Sequence, residues 1–334
     1  MKFVCAPDSL KGVLAAPAAA RALADGARRA GADPVELPLA DGGEGTAEVL
    51  REAWGGTWRT TNVVDPLGRE RTARFLYVED RCLAVVETAE AIGLPLLTEQ
   101  ERDPLRASSE GLALLIRAAL AVGARELLVT LGGSATVDGG AGLSNALAPG
   151  ELAGIRVTAL CDVANPLHGP RGAARAFGPQ KGATEGEVLE LERRLRSMSH
   201  LTPYSGLEGA GAAGGLGAAL ASLGATLASG AGAVLSAVNF DLRIAGSDLV
   251  VTGEGRVDAT SLEGKVPASV AAACEALKIP CVVFGGEIEA AGNALYERGA
   301  TALFALSGRP HKAVEDLERL GYGLARLAAG LRRG

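Results

Sequence analysis

Short apolar runs that end in polar, glycine-rich turns recur along this chain, and a repeat of that kind leaves few architectures open. Residues 2–6 run into the turn 7–13, residues near 35–39 into Ala40-Asp41-Gly42-Gly43-Glu44-Gly45, and residues 126–131 into 132–140. Residues 155–160 feed Cys161-Asp162-Val163, and 248–252 feed Gly253-Glu254-Gly255-Arg256-Val257-Asp258. Helical segments follow, an Ala-rich stretch over 15–30 and another from about Val266. Strand, turn and helix in that order spell βαβ units, hence parallel sheets covered by helices. Ligands of such sheets bind beyond the carboxyl ends of the strands, so the polar turns are where a site is sought.

Composition points the same way. Hydrophobic residues make up 48% of the 334 but aromatics only 4%, so the core must be built from Ala, Val and Leu, as in an α/β protein. The length exceeds one ordinary domain, and two are expected. A net charge of −6 with scattered basic residues gives no footprint for nucleic acid, and an anionic substrate would need locally placed cations. Residues 1–6 are a short apolar run followed by Pro7 and Asp8, which reads as neither a signal peptide nor a spanning helix. A cytoplasmic protein with no membrane partner is expected. The five cysteines show no C-x-x-C pairing and sit among apolar neighbours, so buried thiols are expected rather than disulfides or zinc. The three histidines have no metal-binding spacing, which leaves Mg²⁺ on oxygen ligands as the metal to consider. Residues 184–198 have the spacing of a solvated amphipathic helix, and the Gly/Ala-rich 206–217 reads as tight helix packing or a close backbone approach to ligand.

Phosphoryl transfer needs donors for phosphate oxygens, carboxylates for Mg²⁺ and often a base beside the acceptor hydroxyl, and the turns supply all three. No G-x-x-x-x-G-K-[ST] occurs, which argues against a P-loop enzyme. Glycine pairs at 132–133 and 139–140 bracket Ser134, Thr136 and Asp138, a composition for wrapping an anion, though equally one for tight turns. Asp41 and Glu44 stand among three glycines. Lys11, close after Asp8 and Ser9, is placed to meet an anion at a strand end, or is a surface lysine. Glu254, Arg256, Asp258 and Lys265 offer two carboxylates and two cations, enough for one Mg²⁺ and one phosphate, or else a surface ion-pair cluster. Asp162 follows an apolar strand and precedes Asn165-Pro166, which suits a general base, a metal ligand or a turn-forming Asp. Lys181 is a further anion contact or a loop tip.

Taken together the turns resemble those of the bacterial class I glycerate kinases. The carrying motifs are A-P-D-S-L-K-G at 6–12, A-D-G-G-E-G-T at 40–46, L-G-G-S-A-T-V-D-G-G-A-G at 131–142 and C-D-V-A-N-P-L-H-G-P-R-G-A at 161–173. F-G-P-Q-K-G-A at 177–183, G-A-G-A-A-G-G-L-G at 209–217 and T-G-E-G-R-V-D at 252–258 complete the set in the family's order. The resemblance implies an ATP-dependent kinase of D-glycerate, giving 2-phosphoglycerate, with 3-phosphoglycerate as the alternative product. It implies a flavodoxin-like parallel-sheet domain (1–62 with 282–334) interrupted by a second α/β domain (63–281), with the active site in the cleft between them, and a homodimer as the assembly to consider. The family's motif positions fall here on Asp8, Ser9, Lys11, Asp41, Glu44, Ser134, Thr136, Asp138, Asp162, Asn165, Lys181, Glu254, Arg256, Asp258 and Lys265. Asp162, Asp41, Asp258 and Lys11 are the expected catalytic groups. Asp8, Ser9, Ser134, Thr136, Asn165, Lys181, Arg256 and Lys265 are the expected contacts to substrate and phosphate, and Glu254, Asp138 and Glu44 the expected Mg²⁺ ligands.

Two stretches depart from the family's pattern. The link 148–154 is shorter than usual, as though a surface helix were deleted, and 284–288 reads Phe-Gly-Gly-Glu-Ile where Ala, Gly and Ser are more usual. A nicotinamide-dependent oxidoreductase is the competing enzyme class, but the first strand is followed by Pro7-Asp8-Ser9-Leu10-Lys11-Gly12 instead of G-x-G-x-x-G. A non-catalytic organic-acid sensor on the same fold is the competing binding class.

Overall fold

The computed structural model describes residues 1–262 and 264–331. Its strands are β1 (Lys2–Cys5), β2 (Asp33–Glu36), β3 (Thr57–Val64), β4 (Glu70–Val78), β5 (Leu83–Glu87), β6 (Glu126–Thr130), β7 (Arg156–Cys161), β8 (Thr226–Ser229), β9 (Leu249–Val257), β10 (Cys281–Ile288) and β11 (Ala302–Ala305). The chain divides into two compact units, the first Met1–Asp41 with Ala231–Gly334 and the second Gly42–Gly230. Residues 332–334, included in the expected first domain, lie outside the described residues.

The first unit holds a five-stranded sheet in the order β11-β10-β9-β1-β2, and all its pairings are parallel. Numbered within the unit this is 2-1-3-4-5, the flavodoxin-like doubly wound order, whose direction reverses between β1 and β9. Successive strand residues point to opposite faces and both faces are buried, which is why the strands read as continuous apolar runs. Phe3, Cys5, Val251, Val282 and Phe284 pack in one cluster with Ala19, Ala20, Leu23 and Ala27 of the helix Ala16–Arg29 and Leu317 of the helix Ala313–Leu331. A Cβ on Gly26 would lie 2.0 Å from the Glu318 carbonyl oxygen, and one on Gly321 would lie 2.1 Å from that of Leu23. These two helices therefore cross backbone against backbone, an approach only small residues allow.

The second unit holds a six-stranded mixed sheet, β3-β4-β5-β6-β7-β8, antiparallel from β3 to β5 and parallel from β5 to β8. Its core gathers Phe75, Val86, Leu127 and Val129 of the sheet with Ile92, Leu112, Leu115 and Ile116. A second cluster of Val137, Leu167, Leu191, Leu195 and Leu201 lies beneath the loop 132–140. The amphipathic segment forms the helix Glu185–Ser197, opened by reciprocal hydrogen bonds between Thr184 and Glu187.

The structure differs from the sequence reading in three places. The units divide at 41/42 and 230/231 instead of 62/63 and 281/282, because β9 pairs with β1 and β10 while β3 pairs with β4. Residues 253–257, read as a turn, continue β9, because β10 runs alongside as far as Ile288↔Val257. Cys82 is exposed at the end of a short turn, whereas the other four cysteines are buried.

Candidate functional site

In the first unit the chain leaves β1 and keeps pairing with β9: Ala6 N–H donates to the Val251 carbonyl (2.7 Å) and Asp8 N–H to that of Gly253 (2.9 Å). This carries Asp8 to the carboxyl end of the sheet, where it is buried. Its Oδ1 accepts from the Ser9 amide at 2.6 Å, and its Oδ2, shielded from solvent, has no hydrogen-bond partner among the described residues. Burial pushes the Asp8 carboxyl well above the usual carboxylate range and the negative field of Asp41 adds to it, against the opposing pull of the Ser9 amide and Lys11. Asp41, 1% exposed, accepts from Lys11 Nζ at 2.9 Å. Glu254 is buried too, its Oε1 accepting from Ser261 Oγ at 2.6 Å and its Oε2 lying 3.8 Å from Lys265 Nζ. Burial raises this carboxyl as well, opposed by Lys265 and Ser261. Asp8, Asp41 and Glu254, with Lys11 and Lys265, thus meet at the point where the sheet order reverses.

The other expected groups of this unit are more occupied. Arg256 Nε donates to Glu289 at 2.9 Å and lies 3.9 Å from Glu287 and 3.8 Å from Asp258, so its charge is already matched on the strand ends. Asp258 Oδ1 accepts from the Thr260 amide (2.8 Å) and hydroxyl (2.6 Å), which makes it the cap of the turn Ala259–Leu262. A cavity of about 600 Å³ opens here, with Ser9, Lys11, Glu254, Arg256 and Lys265 in its wall.

In the second unit the loop 132–140 is tied together from within. Lys181, buried, donates from Nζ to Ser134 Oγ (3.0 Å) and to the Thr136 carbonyl (2.8 Å). Burial pulls its amine down to about 7, with Asp138 partly opposing. Asp138 Oδ2 accepts from the Ser109 amide (2.9 Å), the Ser109 hydroxyl (2.7 Å) and the Gly142 amide (3.1 Å), while Oδ1 accepts from the Gly140 amide (3.0 Å). Both oxygens are spent on backbone and hydroxyl donors, which is the work of a scaffold residue and leaves little for a cation. The Gly/Ala-rich segment closes the loop from behind: a Cβ on Gly214, at φ 74°, would lie 1.9 Å from the Thr136 carbonyl oxygen. The close approach read from the sequence is therefore to protein backbone. Thr136 Oγ1 stays buried without a partner among the described residues.

Asp162, half-buried, stands directly after β7, and Asn165 Nδ2 donates to the Arg171 carbonyl at 2.7 Å. Glu44 is exposed and faces a small cavity of about 180 Å³ with Arg71, Glu87 and Glu90. Of the three expected metal ligands, Glu254 belongs to the first unit and Asp138 and Glu44 to the second. No group of three or more His, Cys, Asp or Glu able to hold a metal occurs among the described residues.

Glu87 escaped the sequence reading. It ends β5, is buried, and its Oε1 accepts from the Ala47 amide at 2.7 Å, with the Gly45 amide also donating to the carboxylate. The helix Thr46–Trp54 has no side-chain cap of its own, so Glu87 supplies one from another element. Burial pushes its carboxyl up to about 7, with the Ala47 and Gly45 amides opposing and Glu90 and Glu44 adding to the rise. The signal was present in Leu-Ala-Val-Val-Glu at 83–87, an acidic residue ending an apolar strand, but no glycine-rich turn follows to draw attention.

Comparison with known proteins adds to this geometry. The glycerate kinase family model matches residues 3–150 and 148–333, its two segments meeting inside the link 148–154. A glycerate kinase of Bacillus subtilis (strain 168) is 40% identical over 92% of this chain and 90% of its own length. A glycerate 2-kinase of Escherichia coli (strain K12) is 39% identical over 92% and 90%. A crystal structure of a protein assigned as glycerate kinase 2 from Salmonella typhimurium LT2 superposes with a TM-score of 0.81, at 36% identity, over 99% of both chains.

Proposed function

Because this chain belongs to the glycerate kinase family, we propose that it transfers the terminal phosphoryl group of ATP to D-glycerate, at the 2-hydroxyl, giving 2-phosphoglycerate and ADP. The observation that carries this reading is the cluster of Asp8, Asp41, Glu254, Lys11 and Lys265 at the reversal of the first unit's sheet. Phosphoryl transfer asks mainly for positioned charge, and buried carboxylates beside lysines supply it with little reorganisation. Lys11 holds the Asp41 carboxylate and, with its side chain 59% exposed, is able to meet an anionic oxygen. Asp162, at the end of a strand, is the group assigned to take the proton from the acceptor hydroxyl.

Mg²⁺ fits this donor set on one observation, the buried Asp8 Oδ2 without a hydrogen-bond partner among the described residues. A Mg²⁺ bound with nucleotide needs only one or two protein carboxylates, since phosphates and water complete its shell. Asp8 and Asp41 would hold it, in place of the expected Asp138 and Glu44, and it would supply charge neutralisation on the phosphates.

We place the protein in the cytoplasm, and no described helix is long and apolar enough to cross a membrane. The test is ADP formation by purified protein with ATP, Mg²⁺ and D-glycerate, the product being resolved by coupling with and without phosphoglycerate mutase. ADP formation dependent on glycerate supports the kinase. Product that reaches enolase only through the mutase replaces the 2-hydroxyl by the 3-hydroxyl, and glycerate binding without turnover replaces the enzyme by an organic-acid-binding relative.

A further inference from the structure

Resting on the kinase reading above, we infer that the 600 Å³ cavity of the first unit is the seat of the nucleoside triphosphate, with its base against Leu306, Pro310 and Ala313 and its phosphates toward Lys11 and Lys265. Size is the first argument. Cavities of 300–1,000 Å³ enclose ligands of roughly drug size, and of the two reactants only the nucleotide is that large. A small hydroxy acid would leave most of this volume to water.

Position is the second. Ser9 and Lys11 follow β1, Glu254 and Arg256 end β9, Gly286 lies on β10 and Leu306 follows β11, so the cavity lies along the carboxyl edge of the sheet. It includes the β1/β9 crevice where the strand order reverses, and there doubly wound sheets bind their ligands.

Chemistry is the third. No P-loop is present, and four cations line this one cavity to meet phosphate charge, alongside the carboxylates of Glu254, Asp258, Glu287 and Asp316. Lys11 is bound to Asp41, Arg256 to Glu289, and Lys265 lies 3.8 Å from Glu254. Arg309 is exposed and has no ion pair among the described residues, so its guanidinium stands ready at the rim. The wall near it combines Leu306, Pro310 and Ala313 with the carboxylates of Glu287 and Asp316, and at Gly308 it lacks a side chain: a Cβ there would meet only the Gly286 carbonyl oxygen, at 3.9 Å. A flat base needs such a slot, and a guanidinium beside it can stack on the ring or reach a phosphate.

Two measurements on the whole chain test the assignment. Photolabelling with 8-azido-ATP followed by peptide mapping is expected to mark residues 302–313. Label absent from that segment, or confined to 42–230, overturns it. Calorimetry of ADP binding is expected to show Arg309→Glu weakened about tenfold, the size expected when one charge-assisted hydrogen bond to the nucleotide is removed, while the KM for D-glycerate stays at the wild-type value. Unchanged ADP affinity, or weakened glycerate affinity in its place, also overturns it. Glycerate-dependent turnover of the wild type separates the two claims. Turnover that persists while both nucleotide results fail removes the seat and leaves the kinase. A marked 302–313 segment and ADP binding sensitive to Arg309→Glu, with no turnover, keep the seat and remove glycerate.

Discussion

The two units treat similar-looking polar residues in opposite ways. In the first, Asp8 keeps an oxygen without a partner among the described residues, Lys11 reaches over Asp41 with more than half its side chain in solvent, and a cavity opens beside them. In the second, Asp138 accepts from four donors and Lys181 spends its buried amine on Ser134 and Thr136, with Thr136 Oγ1 as an exception. A polar group whose hydrogen bonds are all made inside the protein holds shape, and one left partly unmade or solvated is available to a ligand. The contrast separates motif residues that remain open to a ligand from those whose hydrogen bonds are already made within the protein.

Substitutions sharpen the contrast if each moves one quantity and not the other. Asp41→Ala should lower kcat about 10²-fold or more while the melting temperature changes little, since the Lys11 left behind is solvated. Asp162→Asn should also lower turnover about 10²-fold if it is the base, and near-wild-type rates would remove it from that role. Asp138→Ala should instead cost about 3 kcal/mol of stability in a denaturant titration, because amide and hydroxyl donors around it lose their acceptor. The contrast collapses if Asp41→Ala melts as early as Asp138→Ala, or if the latter keeps its stability and loses only its rate.

Much of the first unit was legible in the sequence. Buried parallel strands leave apolar runs, charged turns at their ends mark the carboxyl edge, and Asp8, Lys11, Asp41 and Glu254 do lie together at that edge. The continuation of β9 through 253–257 was hidden because Gly-Glu-Gly-Arg has the composition of a turn, and only the partner strand β10 makes it extended. The unit boundaries were misplaced for the same reason, since pairing between distant strands leaves no local mark. The glycines of the Asp138 loop suit an anion cradle and a tight turn equally, and spacing does not tell which acceptors will already be met by Ser109 or by the loop's own amides. Glu87 lacked a glycine-rich neighbour, and its role depends on a helix start forty residues earlier in the chain.

Glu87 and Lys181 give the finest test, because burial shifts both toward neutrality and the two shifts leave opposite marks on stability. The Glu87 carboxyl rises from 4.5 to about 7, so between those values the folded chain binds more protons than the unfolded, and stability falls as pH rises. The Lys181 amine falls from 10.5 to about 7, so between 7 and 10.5 the unfolded chain binds more protons, and stability climbs as pH rises. Each slope is at most about 1.4 kcal/mol per pH unit. The difference between wild type and Glu87→Gln in unfolding free energy should therefore change by about 1 kcal/mol from pH 5.5 to 6.5 and be flat above 8. The difference from Lys181→Met should be flat below pH 6 and change by a similar amount from 8 to 9. A Glu87→Gln difference that ignores pH would mean that the cap on the helix Thr46–Trp54 stays charged throughout, and burial would then no longer account for its cost.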